Sequence, residues 1–222
     1  MLNSSGFQLN SLEYGLIKNS KLKIQNFCMK YNIQLRFNTP KDWAKYIVNH
    51  FDGFLQDHAD CERKASSMAM SFVAKCPDKQ DIIPDLIETA LEELVHFKQV
   101  YELMIKRGVI LKQQIEQDKY IKQLIDLCRS GKEDRLLDRM IVASVVEARG
   151  AERFRLVAEE LTEPELKEFY ETLWVSEHKH SDIFLRLADR YYEQETINER
   201  LDWFLDKEAE ICSTLPNRAA LH

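Results

Sequence analysis

Residues 92–96 read EELVH and residues 176–180 read SEHKH, and each stretch lies inside a long segment with a helical pattern. In both stretches a glutamate comes three positions before a histidine. Residues three positions apart on an α-helix lie on the same face. If both stretches are helical, each therefore presents one carboxylate oxygen and one imidazole nitrogen to a single metal ion.

The sequence on either side of the two stretches has the pattern of long helices. Its apolar residues recur with a 3.6-residue period, and the 222 residues contain only six glycines and five prolines to interrupt it. Capping boxes at Thr39, Ser130 and Thr162 indicate three helix starts. We predict helices over residues 39–76, 81–107, 130–161, 162–192 and 198–212, a helical piece at 120–128 and a bend at Gly53. Alternating hydrophobicity predicts a short strand over residues 32–37.

The first and second helices are joined by a short turn, as are the third and fourth, whereas the two pairs are joined by a long connection over residues 109–129. Two antiparallel hairpins with such a crossover form the ferritin-like four-helix bundle. The sequence therefore predicts an all-α protein. We expect an N-terminal extension at residues 1–38, the bundle with an appended C-terminal helix at 39–212, and a mobile tail at 213–222.

Four carboxylates fall on the apolar stripes that should form the core of this bundle: Glu62, Glu93, Glu147 and Glu177. Glu62 lies 31 residues before Glu93, and Glu147 lies 30 residues before Glu177, with a turn near each midpoint. Both members of each pair therefore reach the same level of the bundle. A buried, unpaired carboxylate costs several kcal/mol, so four of them need a shared cation.

With the two histidines, these acids predict a site for two metal ions. The candidate ligands are Glu62, Glu93, His96, Glu147, Glu177 and His180. This set is typical of di-iron and di-manganese carboxylate bundles, because oxygen ligands with one nitrogen suit iron or manganese, and the stretches hold no cysteine for copper(I). Nearby residues have open roles. His58 either contacts a ligand or is an ordinary core histidine. Three aspartates are candidate hydrogen-bond acceptors for the ligand histidines: Asp57, Asp182 and Asp189. Three glutamates off the apolar stripes are predicted to be solvated: Glu88, Glu92 and Glu171.

Four segments containing these residues resemble the bacterial tRNA hydroxylase family: residues 57–65, 92–97, 139–154 and 176–180. That family hydroxylates the isopentenyl group of 2-methylthio-isopentenyl-adenosine, next to the anticodon, with a di-iron centre and dioxygen. The resemblance covers about residues 39–205. It implies that this chain is a di-iron monooxygenase with the six candidate ligands on iron, dioxygen as co-substrate, tRNA as substrate and an electron donor that the sequence does not identify. We expect a monomer or a dimer.

Binding of tRNA then requires a local basic patch, because the chain has 31 Lys and Arg but 37 Asp and Glu, which gives a net charge of −6. Arg135, Arg139, Arg149 and Arg153 are spaced to form an outer stripe on the third helix, and Arg63, Lys64, Lys75 and Lys79 lie at the first hairpin. Of these, Arg149, Arg153, Lys75 and Lys79 are the predicted tRNA contacts. Exposed salt bridges along the helices are the alternative. Likewise, Ala65, Ala69, Ala143, Ser144 and Gly150 either leave an apolar channel to the metals or simply permit close helix packing.

Other classes of protein fit part of the pattern. A ferritin-like ferroxidase or iron-storage protein would share the ligand set, and a metal-free helical interaction module would bury the acids in ion pairs. The five cysteines form no C-x-x-C pair, which predicts reduced thiols and a cytoplasmic protein. The longest apolar stretch is far too short to span a bilayer, so no membrane partner is expected.

Overall fold

Long amphipathic helices account for most of this computed structural model, which describes residues 29–113, 117–216 and 218–222. Residues 31–222 form one compact unit, to which the following description applies. Its described helices are α1 (Lys41–Asn49), α2 (Phe51–Lys75), α3 (Ile83–Arg107), α4 (Lys119–Asp126), α5 (Lys132–Glu160), α6 (Pro164–Ala188) and α7 (Gln194–Thr214). None of the described helices contains an apolar stretch long enough to cross a membrane.

Two antiparallel hairpins form the bundle, because α2 packs along α3 and α5 packs along α6. The crossover between the hairpins carries α4, which contacts α5 and α7, while α1 and α7 also pack on α5. Gly108 ends α3 in the left-handed conformation, with a φ of 70°, that glycine adopts most easily. The predicted all-α fold class and the pairing of the four long helices are confirmed.

The apolar interior consists of two clusters with a polar layer between them. One cluster contains Phe72, Leu86, Met140 and Phe184, and the other contains Phe54, Val100, Phe154 and Tyr170. Each of α2, α3, α5 and α6 contributes to both clusters, and on each of these helices a predicted ligand glutamate lies at or next to the boundary between its two contributions. The helix packing therefore brings the four acids to one level.

The first predicted helix is interrupted at His50, three residues before the predicted bend at Gly53. The His50 imidazole Nδ1 lies 2.9 Å from the Tyr46 carbonyl oxygen, while the His50 backbone N–H bonds Ile47 instead. A side chain that occupies the i−4 carbonyl competes with the helical hydrogen bond at that position. The break therefore follows from the histidine and does not require the glycine.

The three predicted capping boxes do not form. The helices begin after Pro40, Gly131 and Glu163, and none of these residues makes a side-chain cap hydrogen bond. Thr39 has another partner: its backbone N–H and hydroxyl donate to the Glu152 carboxylate at 2.8 and 2.7 Å. Thr39 thus fixes the chain that precedes α1 against α5.

The predicted strand over residues 32–37 is wrong, since the described residues contain no strand. Alternate side chains of this segment do point inward, because Tyr31 and Ile33 are buried and Leu35 packs against the core. The segment is held by helices, with the Tyr31 N–H donating to Asp182 and Arg149 donating to the Phe37 carbonyl. The alternating hydrophobicity therefore reflects an extended segment that packs on helices and does not pair with another strand.

The end of the chain also differs from the expected mobile tail. Helix α7 continues to Thr214, and Ala220, Leu221 and His222 are buried. The Leu221 N–H donates to the Asp57 carboxylate at 2.7 Å. Such a short irregular segment has no periodicity, so its packing has no signature in the sequence. The expected domain limits otherwise stay predictions.

Candidate metal centre

Side chains from α3 and α6 meet in the polar layer. Ligand atoms of Glu93, His96, Glu177 and His180 all lie within 4.8 Å of one another, and all four residues are buried. The contacts cross between the helices, because His96 Nδ1 lies 2.9 Å from Glu177 Oε1 and His180 Nδ1 lies 2.7 Å from Glu93 Oε1. The two E-x-x-H stretches therefore face each other, as predicted from the glutamate three positions before the histidine in both.

Glu62 on α2 and Glu147 on α5 complete the group. Glu62 Oε2 lies 3.8 Å from His96 Nδ1, and the Glu147 carboxyl hydrogen-bonds that of Glu177. Both are buried, and with Glu177 they line one small cavity. The structure thus brings all six predicted ligands together, while their binding of metal stays a prediction.

The donor atoms fit a pair of divalent metal ions. Glu93 Oε1 and Glu177 Oε1 are buried and, among the described residues, accept no hydrogen bond of normal geometry, although each lies within ion-pair distance of an imidazole nitrogen. Buried polar atoms normally have a partner, and a cation would supply one for both oxygens. Four carboxylates with two imidazoles are a donor set for iron or manganese.

Protons neutralise the cluster when no metal is bound. Burial, followed by repulsion from Glu177, raises the pKa of Glu62 well above its usual range. Burial, followed by repulsion from Glu93, does the same to the pKa of Glu147. Burial acts to lower the pKa of both histidines, but the facing carboxylates outweigh it and raise them well above the usual range. Burial acts to raise the pKa of Glu93 and Glu177, yet in balance the imidazoles keep both pKa values low.

His58 contacts one of the candidate ligands. Its Nε2 lies 2.7 Å from Glu62 Oε1, and its Nδ1 lies 3.0 Å from the Tyr170 hydroxyl. Burial lowers the pKa of His58 to about 3, so the imidazole is neutral. A neutral ring with its proton on Nε2 donates to Glu62 and accepts from Tyr170. The sequence leaves open whether His58 is a core histidine or a contact of a ligand, and in the structure it is both buried and hydrogen-bonded to Glu62.

Glu92 is the residue whose role the sequence pattern missed. Its carboxylate oxygen Oε2 accepts from His180 Nε2 at 2.8 Å, and this hydrogen bond lowers the pKa of Glu92. A carboxylate behind a ligand histidine fixes the ring and its tautomer. Glu92 is exposed, as predicted, but its carboxylate also bonds His180 on α6, and the prediction did not include that contact. The doubled glutamate in EELVH is the signal that was available.

The aspartates suggested for this role bond elsewhere. Asp57 accepts from the Leu221 N–H, Asp182 accepts from the Tyr31 N–H and Asp189 accepts from the Tyr31 hydroxyl.

The predicted outer stripe of arginines on α5 is wrong for Arg149 and Arg153, whereas Arg135 is exposed. Arg149 is fully buried and donates to Glu208 at 2.7 and 2.9 Å and to Glu152 at 2.8 Å. Arg153 is buried over the Trp43 ring, with its centre 5.2 Å away. The reason is that α1 and α7 cover this side of α5. Neither arginine is placed to contact phosphate.

The two lysines predicted beside them differ from each other. Lys79 is buried, pairs with Glu133 at 3.3 Å and lies over the Tyr191 ring. Lys75 is exposed at the end of α2, so its contact with tRNA stays a prediction.

The small residues differ in their surroundings, and a channel to the metals stays a prediction. Ala65 and Gly150 line the cavity beside Glu62, Glu147 and Glu177. Ala69, Ala143 and Ser144 do not line it and are fully buried in the packing of the helices.

Comparisons with known proteins agree on one family and one fold. Residues 27–222 match the family model described as tRNA-(MS[2]IO[6]A)-hydroxylase (MiaE). A tRNA 2-(methylsulfanyl)-N(6)-isopentenyladenosine(37) hydroxylase of Pseudomonas putida is 34% identical over 184 residues, which cover 83% of this chain and 89% of the relative. The Salmonella typhimurium protein of the same name is 33% identical over 135 residues, which cover 61% of this chain and 49% of the relative.

Among solved structures, the chain is similar to protein 43 with aldehyde deformylating oxygenase activity from Synechococcus. The TM-score is 0.81 and the sequence identity 32%, and the match covers 86% of this chain and 96% of the other.

Proposed function

Since the chain belongs to the tRNA-(MS[2]IO[6]A)-hydroxylase (MiaE) family, we propose that it hydroxylates the isopentenyl group of 2-methylthio-isopentenyl-adenosine next to the anticodon of tRNA. The reaction takes one dioxygen molecule, two electrons and two protons for each C–H bond converted to C–OH, and it releases one water. The family favours this activity over iron storage, which would share the ligands.

The observation that carries this proposal is the buried cluster of four carboxylates and two imidazoles in the polar layer. Glu93, His96, Glu177 and His180 would hold two iron ions together with Glu62 and Glu147. When bound, the iron would supply the redox chemistry that transfers an oxygen atom from dioxygen to a C–H bond. The protein supplies a buried position, fixed ligands and an apolar approach.

Contacts around the cluster hold its members in place. Glu92 accepts from His180 and thereby fixes the ring that faces Glu93. His58 bridges Glu62 to the Tyr170 hydroxyl and thereby fixes that carboxylate. Both partners come from the bundle's own helices, so the site keeps its shape without help from the substrate.

The test compares two tRNA substrates with iron-loaded protein, a chemical reductant and air. Nucleoside analysis by mass spectrometry should find the hydroxylated nucleoside from prenylated tRNA only. Glu177→Ala should abolish both iron binding and product, whereas Glu171→Ala, an exposed glutamate on the same helix, should preserve both. Equal oxygen consumption with prenylated and unprenylated tRNA, without any hydroxylated nucleoside, would contradict the proposal.

The same question can be asked in cells. Transfer RNA from a strain that lacks this gene should retain the prenylated nucleoside and lose its hydroxylated form. An unchanged nucleoside profile would assign the hydroxylation to another protein.

A further inference from the structure

A small cavity lies beside three of the four cluster carboxylates. Its volume is about 40 Å³, and its lining includes Glu62, Glu147 and Glu177 on the metal side. Val146, Phe154 and Leu221 are apolar residues that line the same cavity. The cavity therefore connects an apolar surface with the oxygen ligands.

Leu221 belongs to an irregular segment, residues 218–222, that is held by a few separate contacts. The Leu221 N–H donates to Asp57 on α2, and its carbonyl accepts from Arg153 on α5. The His222 ring stacks on Tyr120 of α4, with centroids 5.0 Å apart and an 11° angle between the planes. These side-chain contacts can separate without disturbing the helical hydrogen bonds.

Size shows what the cavity can accept. A cavity of about 40 Å³ has room for no more than a few water molecules, whereas a cavity of about 150 Å³, left by truncating a leucine in another protein, holds a six-carbon ring. A five-carbon prenyl group therefore does not fit while Leu221 is in place. The leucine side chain is itself a branched apolar group of four carbons, so its withdrawal would leave a space of the right size and chemistry.

We propose that Leu221 occupies the binding position of the substrate's prenyl group, and that residues 218–222 withdraw as a lid when the substrate enters. This inference rests on the proposed function for the identity of the ligand. Leu221 is then a specificity-determining residue, because its side chain competes with prenyl-sized groups. The observed affinity for the substrate falls with the fraction of molecules that are open.

The binding test uses prenol, 3-methylbut-2-en-1-ol, titrated calorimetrically into iron-loaded protein under nitrogen. Leu221→Ala should bind prenol at least tenfold more tightly than the unchanged protein, because the lid no longer fills the site. Leu221→Trp should bind less. Leu205→Ala, a buried leucine in the cluster at the other end of the bundle, is the matched control and should bind like the unchanged protein. Equal affinities for the unchanged protein and Leu221→Ala would overturn the lid.

A second measurement tests the movement without enlarging the site. Asp57→Ala removes the acceptor of the Leu221 N–H and leaves the leucine side chain intact. A chelator should then extract iron several-fold faster than from the unchanged protein, since the lid covers the cavity that leads to Glu62, Glu147 and Glu177. Unchanged extraction rates in both Asp57→Ala and Leu221→Ala would also overturn the lid.

The lid and the proposed function can fail separately. If prenol binding follows the expected order and no variant hydroxylates tRNA, the lid stands and the tRNA activity fails. If the unchanged protein hydroxylates tRNA and Leu221→Ala has the same KM, kcat and prenol affinity, the activity stands and the lid fails. Support for both requires a lower KM for prenylated tRNA in Leu221→Ala with little change in kcat.

Discussion

Individual carboxyl groups in the polar layer keep their protons because burial and neighbouring negative charges raise their pKa values. Protonated Glu62 and Glu147, with ion pairs between the two other glutamates and the two histidines, give a cluster without net charge. Two divalent ions on four carboxylates and two neutral imidazoles also give no net charge. Metal must therefore replace protons rather than add charge to the interior.

Loading the protein with two ferrous ions should release about four protons, two from carboxyl groups and two from imidazolium rings. Calorimetric titrations in buffers of different ionisation enthalpy measure this number. The metal affinity should rise with pH, because protons compete for the ligand atoms. A proton count near zero at neutral pH would contradict the charge assignment.

Glu92 is a further residue with a measurable role. Glu92→Ala leaves the His180 ring without its acceptor, and loss of such a contact lowers metal affinity by about 10- to 100-fold. Competition with a chromogenic chelator measures the affinity. Glu102→Ala removes an exposed glutamate from the same helix and should leave the affinity unchanged. Similar affinities for both variants would show that His180 needs no support.

Helix α5 is covered by other helices on nearly all sides. This explains why the surroundings of some of its residues could be predicted from the sequence and those of others could not. Glu147 was identifiable because it interrupts an apolar stripe of its own helix. The surroundings of Arg149 were not, because its partner Glu208 is 59 residues away on α7. Local periodicity reports the face toward the bundle core, but it does not report a second layer that packs on the other face.

The pair between α5 and α7 should be important for stability. Arg149→Ala leaves the fully buried Glu208 without its cation, and breaking one side of a buried pair costs about 3–5 kcal/mol. Urea unfolding measures the loss. Arg155→Ala breaks an exposed pair with Glu159 on the same helix and should cost less than about 1 kcal/mol. Equal losses in both variants would mean that α7 does not depend on this contact.

For the molecule as a whole, the four-helix order could be predicted from helix lengths and turn positions, and the six converging side chains from their spacing. The covering parts could not, since residues 31–39 and 218–222 are irregular and are held by partners remote in sequence. Thr39 illustrates the difficulty, because the same hydroxyl that suits a helix cap bonds Glu152 instead. Repetitive packing leaves a periodic pattern, whereas single anchoring contacts leave none.

The stability of the whole metal-free protein should fall between pH 6 and pH 8. In this window the unfolded chain has ionised carboxyls and loses its histidine protons, while the folded cluster retains protons on Glu62, Glu147 and both histidines. Burial lowers the pKa values of His58 and His222, so these two bind protons only in the unfolded chain and oppose the effect of the four retained protons. The folded state still binds more protons, so the free energy of unfolding decreases as pH rises. The lowered pKa values of Glu93 and Glu177 add no slope there, because both are ionised in either state.

Urea unfolding at both pH values checks this prediction. The metal-loaded protein should lack this loss, and the double variant Glu62→Gln with Glu147→Gln should show a smaller one, since two of the four titrating groups are gone. A metal-free protein that is more stable at pH 8 than at pH 6 would contradict the assignment.

The division of the interior into two apolar clusters also affects how the molecule opens. Each cluster draws on all four long helices, and among the described residues the polar layer lies between the two clusters. Cooperative units of this kind appear in amide hydrogen exchange as groups of residues with a common opening energy. Without metal, the two ends should exchange as two groups with different protection, and with metal as one. Metal supply then controls whether the bundle behaves as one cooperative body or as two.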